Sequence, residues 1–308
     1  MKILLTTTSF QDTLGPHLDL LYSKNFIINR LRGPLSSAEL TPIIGAYDGI
    51  ICGDDEINKA VISAGVKGNL KVISKYGIGL DKVDLHEVQK TKIKLYNTPG
   101  VNNEAVAEHF FSLLLSFEKN ILKENSYIQS QKWVRLIGRE IFNKSIGIIG
   151  LGNVGKEIAK RAHAFGLKIH VFDRVYDSEF CKKYDVNFYE NVVNLFDKID
   201  YLSLNLPLNA ETANIINEDA FARFKKDIVI VNTARSGLID EKCLIRSLRE
   251  SKVRGYLTDV LDKEPMIENH PLLQFDNVII TPHIGSRNHE TVARQGLAAV
   301  HNLFNNLK

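Results

Sequence analysis

The stretch Ser145-Ile146-Gly147-Ile148-Ile149-Gly150-Leu151-Gly152-Asn153-Val154-Gly155 decides how the chain is read. Ile146, Ile148 and Ile149 make a short buried β run that ends on glycine. Val154, Ile158, Ala159, Ala162 and Phe165 then recur at helical spacing as far as Gly166, which serves as a C-terminal stop. A second β-rich run, Leu167 to Phe172, ends at Asp173. Strand, glycine turn, helix, strand and acid, in that order, form the unit that holds a dinucleotide. Gly150 permits the tight turn, Gly152 lets the backbone approach a pyrophosphate, and Gly155 allows the helix to lie close against the strand. Asn153 and Val154 open that helix, whose N–H groups and dipole attract phosphate. Asp173 stands where an acid binds the ribose hydroxyls and repels a 2′-phosphate. The expected cofactor is therefore NAD(H) rather than NADP(H), with Arg174 as the opposing charge beside it.

The chain has 308 residues, of which 44% are hydrophobic, enough for two cores of ordinary size. Its 39 basic and 36 acidic residues are spread along the sequence and leave a net charge of +3, which builds no nucleic-acid footprint. Cys52, Cys181 and Cys243 lie far apart, which suggests buried thiols in a reducing compartment and neither a disulfide framework nor a metal site. Met1 to Ser9 is too brief for a signal segment, and the longest apolar stretch, Phe110 to Phe117, is far short of a membrane span. A cytoplasmic protein without a membrane partner is expected.

On either side of the glycine loop, strands alternate with helices, which implies parallel sheets with crossovers. In the first part, β-like runs fall at Lys2 to Thr6, Phe26 to Ile28, Gly49 to Cys52, Lys71 to Ser74 and Ile93 to Tyr96. Helical candidates lie around Leu18 to Tyr22, Ser37 to Ile44 and Ile57 to Ala64. After the loop, runs recur at Tyr201 to Leu206, Ile228 to Val231, Tyr256 to Val260 and Val278 to Ile280, separated by helical candidates at Asn191 to Phe196, Glu218 to Phe224 and Glu241 to Glu250. Asn102 to Ile121 is apolar nearly all round, so it should be buried on every side. The segment that follows, Tyr127 to Asn143, holds the single tryptophan, Trp133. Helix and arm together, residues 102–143, are read as a homodimer contact. The last helical stretch, Glu290 to Phe304, has no sheet left to join and is expected to return to the first domain. The boundaries are thus 1–98 with 286–308 for one discontinuous domain, and 99–285 for the nucleotide-binding one.

In a doubly wound sheet, ligands lie beyond the carboxyl ends of the strands, so chemistry is sought in Pro207 to Thr212, Asn232 to Gly237, Asp259 to Pro265 and Thr281 to Ser286. Arg235 offers a planar fork that matches a carboxylate, the handle of a 2-oxo or 2-hydroxy acid. Hydride transfer to a carbonyl also needs a proton donor for the oxygen, and imidazole serves near neutral pH. His283 follows a buried strand, and Glu264 is placed to fix its tautomer and favour its charged form. His109, within the apolar helix, is read as packed rather than reactive.

Together these segments resemble the D-isomer-specific 2-hydroxyacid dehydrogenase family over essentially the whole chain. The resemblance rests on GLGNVG with Asp173, NTARSGLIDE, TDVLDKEP and TPHIGS, and in the first part on SKYGIGLDKVD and NTPGVNNEAVAEH. It implies an α/β protein of two doubly wound domains, a Rossmann NAD-binding domain and a smaller, discontinuous flavodoxin-like substrate domain. It implies an NAD(H)-dependent oxidoreductase that interconverts a D-2-hydroxy acid and its 2-oxo acid. Arg235 would hold the substrate carboxylate, His283 would be the general acid/base, and Glu264 its partner. Substrate contacts would come from Lys75, Gly77, Ile78 and Gly79 besides Arg235 and His283, with backbone N–H groups of Ile78 and Gly79 on the carboxylate. Asp259 would face the nicotinamide carboxamide. Pro207, Thr212, Thr233, Ala234, Arg235, His283 and Gly285 would line the cofactor with Gly150, Gly152, Asn153, Val154 and Gly155.

Within the family, phosphoglycerate dehydrogenases are nearest in the first-domain motifs, but those enzymes tend to carry arginines for the phosphate where this chain has Cys52-Gly53-Asp54-Asp55. Asp54 and Asp55 near the cleft mouth would disfavour a phosphorylated substrate. Two alternatives remain: phosphoglycerate dehydrogenase proper, and a non-catalytic NAD-sensing protein on the same fold. A formate dehydrogenase is disfavoured because that branch has an amide where this chain has Glu264.

Overall fold

The short β-branched runs of the first hundred residues become five parallel strands: β1 (Lys2–Leu5), β2 (Ile27–Arg30), β3 (Gly49–Cys52), β4 (Val72–Lys75) and β5 (Lys94–Tyr96). Their spatial order is β2-β1-β3-β4-β5, so the sheet reverses direction of growth between β1 and β3. The computed structural model describes residues 1–307. Side chains alternate across this sheet. Leu4, Ile50 and Ile73 pack with Leu40, Ile44 and Val61 on one face, and Ile3, Leu5, Ile51 and Val72 with Phe10 and Leu21 on the other.

The second face is completed from the far end of the chain. Ala299, Val300 and Leu303 of the helix His289–Asn306 join that cluster, and Ser74 Oγ donates to the Ala299 carbonyl at 2.8 Å. A Cβ on Gly49 would lie 2.6 Å from Leu303, so the strand needs glycine there for the helix to approach. One unit therefore contains Met1–Asn102 and the segment from Ser286 onward, and the other is Asn103–Gly285.

The second unit has seven parallel strands: β6 (Ser145–Ile149), β7 (Lys168–Phe172), β8 (Val186–Tyr189), β9 (Tyr201–Leu204), β10 (Ile228–Asn232), β11 (Val253–Thr258) and β12 (Val278–Ile280). The order β12-β11-β10-β9-β6-β7-β8 places the topological switch between β6 and β9. Such a crevice, past the carboxyl ends of the strands, is where an α/β sheet binds its ligand. Helix Asn103–Glu118 covers one face through Ala107, Phe110, Phe111 and Leu114, all in the same cluster as Ile146, Ile148 and Val231.

Several elements differ from the sequence expectation. The helix expected over Asn102 to Ile121 ends at Glu118, and it is not buried all round, because Glu104, Glu108 and Ser112 are exposed. A separate helix, Ile121–Gln129, follows with no buried residue, and residues 132–141 run without regular structure. The strand expected to start at Tyr256 starts at Val253, and Asn191 to Phe196 contains only a 3₁₀ turn, Val192–Leu195. Strand β8 and the short helices Thr8–Asp12, Leu85–Gln89 and Ser178–Lys183 were not expected. Each is brief, and β8 is a half-buried edge strand, so none supplies enough periods of a hydrophobic pattern. No helix among the described residues is long and apolar enough to cross a membrane.

Candidate active site

Five neighbouring strands, β12, β11, β10, β9 and β6, deliver their following loops to one edge of the second sheet. After β6, Gly150 has φ +98°, and a Cβ there would lie 2.7 Å from the Asn205 carbonyl. A Cβ on Gly155 would lie 2.0 Å from the Gly150 carbonyl, so helix and turn touch only because both are glycine. Gly152 is different, since a Cβ there would meet nothing within 4 Å. It opens the helix Asn153–Ala164, and no side chain caps that helix. Open space before an uncapped helix start suits a pyrophosphate, so these residues fit a dinucleotide.

Asp173, at the end of β7, accepts the N–H of Leu151 at 2.6 Å and that of Val175 at 3.0 Å. The acid is thereby fixed beside the glycine turn. Arg174, next to it, is paired with Glu211. After β9, Thr212 is buried, and its Oγ donates to the Pro207 carbonyl at 2.6 Å while accepting the Asn209 N–H at 2.9 Å. This threonine, expected along the cofactor, closes its own loop.

After β10, the buried Asn232 shapes the arginine loop: its Oδ1 accepts Ala234 N–H at 3.0 Å, and its Nδ2 donates to the Arg235 carbonyl at 2.8 Å. Thr233 and Ala234 are held in this Asx-type turn. Arg235 is half-buried, and its Nη1 donates to the Ala234 carbonyl at 2.7 Å. Asn232 was not singled out from sequence, although an Asn at a buried strand end is a turn signal.

After β11 and β12 the loops interlock. Asp259 has a side chain only 3% exposed, and its Oδ1 accepts from Thr281 Oγ at 2.5 Å and from Ile284 N–H at 2.9 Å. Its Oδ2 accepts from Gly285 N–H at 2.7 Å, and His109 Nε2 lies 3.3 Å from Oδ1. Burial pushes this carboxyl up, but the hydrogen bonds from His109, Thr281 and Ile284 outweigh it and hold the acid below its ordinary range. Asp259 and Gly285, expected on the cofactor, thus bind each other. His109, expected to be merely packed, reaches Thr281 Oγ at 3.0 Å as well and belongs to this cluster.

The same cluster sets the backbone of His283. That residue has φ +54°, a conformation uncommon outside glycine, and its N–H returns to the Thr281 carbonyl at 3.0 Å. A non-glycine residue in this region costs on the order of 1–3 kcal/mol, a strain tolerated where the surroundings fix the chain. Ile284 and Gly285, both tied to Asp259, do so. The turn brings His283 Nδ1 to 2.7 Å from Glu264 Oε2, while Glu264 Oε1 accepts Leu261 N–H at 2.9 Å. A neutral imidazole in this contact carries its proton on Nδ1 and its lone pair on Nε2.

In the first unit, Lys75 at the end of β4 is buried and bonds Asp54 Oδ1 at 2.9 Å. Gly77 has φ +122°, and its N–H is already given to Thr98 Oγ at 2.9 Å, so its contribution is the turn itself. Ile78 accepts Asn97 Nδ2 on its carbonyl at 2.9 Å, and Gly79 follows it. Asp55, expected with Asp54 to act as a charge near the cleft mouth, is turned into the protein instead. It is 1% exposed and accepts from Thr6 Oγ at 2.6 Å, Leu35 N–H at 2.7 Å and Gly53 N–H at 2.9 Å.

The model of the D-isomer specific 2-hydroxyacid dehydrogenase NAD binding domain matches residues 111–285. The chain belongs to this family. A hydroxypyruvate reductase of Thermotoga maritima is 36% identical over 89% of this chain and 89% of its own length. A glyoxylate reductase of Korarchaeum cryptofilum is 32% identical over 81% of this chain and 76% of its own. Among solved structures, the TT0316 protein of Thermus thermophilus superposes with a TM-score of 0.88 at 32% identity, covering 99% of this chain and 96% of that one. As a member of the D-2-hydroxyacid dehydrogenases, the chain is an NAD-dependent oxidoreductase acting between a 2-hydroxy acid and its 2-oxo acid. Its expected Rossmann domain and smaller α/β domain are both present.

Proposed function

We propose that this dehydrogenase acts on a short, unphosphorylated 2-oxo acid or its D-2-hydroxy acid, with His283 as general acid/base. The 2.7 Å contact between His283 and Glu264, on a strand end next to the Arg235 loop, carries this reading. Arg235 binds the substrate carboxylate through its planar fork. Bound NAD(H) supplies or accepts the hydride at the substrate C2. In reduction, His283 gives its Nε2 proton to the carbonyl oxygen, and the Glu264 carboxylate stabilises the imidazolium beforehand. In oxidation, His283 takes the hydroxyl proton back. Gly150, Gly152, Gly155 and the start of the helix at Asn153 hold the pyrophosphate, and Asp173 binds the ribose.

The substrate class is argued from charge. Lys75 is neutralised by Asp54, so the pair offers a dianionic phosphate little attraction. Relatives named as glyoxylate and hydroxypyruvate reductases agree with a compact substrate. The decisive experiment measures NADH oxidation against glyoxylate, hydroxypyruvate, pyruvate, branched 2-oxo acids and phosphohydroxypyruvate. Highest kcat/KM with a small unphosphorylated acid is expected. A phosphorylated optimum overturns the substrate class, and no turnover with any of them favours an NAD-sensing role.

The working form is proposed to be a cytoplasmic homodimer, with neither nucleic acid nor membrane as partner. Residues 121–142 carry Ile121, Leu122, Ile128, Trp133, Ile137 and Phe142 largely exposed, Ile137 at 97%. So much contiguous sequence with outward apolar side chains is suited to a second copy of the chain. All three cysteines are free and buried, in keeping with a reducing compartment.

A further inference from the structure

The loop that carries Glu264 is tied across itself, from Asp262 to a histidine at its far end. His270 opens the 3₁₀ turn Pro271–Gln274, and its side chain is 2% exposed. Its Nδ1 accepts Leu272 N–H at 3.3 Å. Its Nε2 lies 3.4 Å from Asp262 Oδ1 and 3.9 Å from Glu241 Oε2. Among the described residues, these three form a group of possible metal ligands, with ligating atoms within 4.8 Å of one another. A cation does not suit them. It needs the Nε2 lone pair and hence a proton on Nδ1, where the Leu272 N–H already points. The tautomer that Leu272 selects carries its proton on Nε2 and directs it at Asp262.

We propose that His270 is a positioning residue for the acid/base site: by donating to Asp262 it fixes the loop that presents Glu264 to His283. Asp262 stands two positions before Glu264, between the anchored Asp259 and the carboxylate that must meet the imidazole. Its side chain is 64% exposed, so without His270 nothing in this cluster draws it inward, and Glu241 repels it. Glu264 has one local tie of its own, to Leu261 N–H, which moves with the same loop. The effect of His270 on catalysis therefore passes through Glu264. The inference rests on the roles proposed above for Glu264 and His283.

The test compares Asp262→Ala, His270→Ala and His270→Gln in the full chain, alone and combined with Glu264→Gln. Because Asp262 is exposed, Asp262→Ala should keep the Tm and the NADH affinity of the parent while lowering kcat about tenfold, the scale of a small misplacement at a reacting centre. His270→Ala should lower kcat likewise, with a lower Tm because the side chain is buried, and His270→Gln, whose amide can both accept and donate, should recover much of the loss in kcat. In the Glu264→Gln background, Asp262→Ala should add little, since coupled residues are not additive. Parental kcat in Asp262→Ala, or losses that simply add, overturns the positioning role. Zinc that raises the Tm of the parent but not of His270→Ala also overturns it, in favour of a metal site. Absence of parental turnover with every 2-oxo acid defeats the active-site reading itself, whereas normal parental turnover with an unimpaired Asp262→Ala defeats only this inference.

Discussion

Glu264 Oε2 lies 2.7 Å from His283 Nδ1, which orients the ring and selects the tautomer of its neutral form. The contact is made possible by the left-handed backbone at His283, and that backbone is in turn held by Asp259. Geometry at one residue thus depends on two loops.

Replacing His283 with Gln should lower kcat by about 10²–10⁴, the usual contribution of a positioned acid or base, while NADH binding followed by fluorescence stays near the parent. Glu264→Gln should be milder and should move the alkaline fall of 2-oxo acid reduction to lower pH, because an amide stabilises the imidazolium less than a carboxylate. An unmoved limb in Glu264→Gln would separate the carboxylate from the proton transfer.

Asp173→Ala should raise the KM for NADH roughly ten- to a hundredfold, the loss expected for hydrogen bonds to a charged acceptor. The KM for NADPH should fall, most of all when Glu211→Ala frees Arg174 as well. Initial rates with the two cofactors decide this, and unchanged selectivity would remove Asp173 from the ribose site.

Asp259→Asn should destabilise the second unit by about 1–3 kcal/mol at neutral pH, since an amide cannot accept from all the donors that face this carboxylate. The acid lies below its ordinary range in the folded protein, so its stabilisation is present above the unfolded-state value and is lost as pH falls through the lower, folded one. The difference in Tm between parent and variant should therefore narrow in strong acid. A constant difference from neutral pH to about 3 would show that the charge is not what stabilises.

Ile137→Asp should leave the Tm of the isolated chain unchanged, because this side chain is 97% exposed. In sedimentation or light scattering it should shift the protein from dimer to monomer. A parent that is monomeric at micromolar concentration would refute the proposed contact.

The glycine turn was legible because it is a local demand of backbone on sequence, whereas the Asn232 turn of the arginine loop and the left-handed backbone at His283 were not anticipated. Gly150 needs a positive φ, Gly155 needs to lack a side chain, and both demands act on neighbours in the chain. The engagement of Asp259 was not legible, since its partners include His109 from a helix far earlier in the sequence. Nothing in the apolar pattern around His109 marks it as a hydrogen-bonding residue. Asp55 misled for a similar reason: beside Asp54 it reads as a charge near the cleft mouth, and only the hydrogen bonds from Thr6 and Leu35 show it turned inward. Boundaries failed where elements were shortest, as at β8 and around Val253.

The first unit draws part of one core face from the helix His289–Asn306. During translation its five strands leave the ribosome before that helix, so the cover of Ile3, Leu5 and Val72 is complete only when Ala299, Val300 and Leu303 emerge. The intervening nucleotide-binding unit, continuous in sequence, has no such wait and can mature earlier on the nascent polypeptide. A premature stop at Ser286 would therefore spare the nucleotide-binding unit and ruin the one built on β1 to β5.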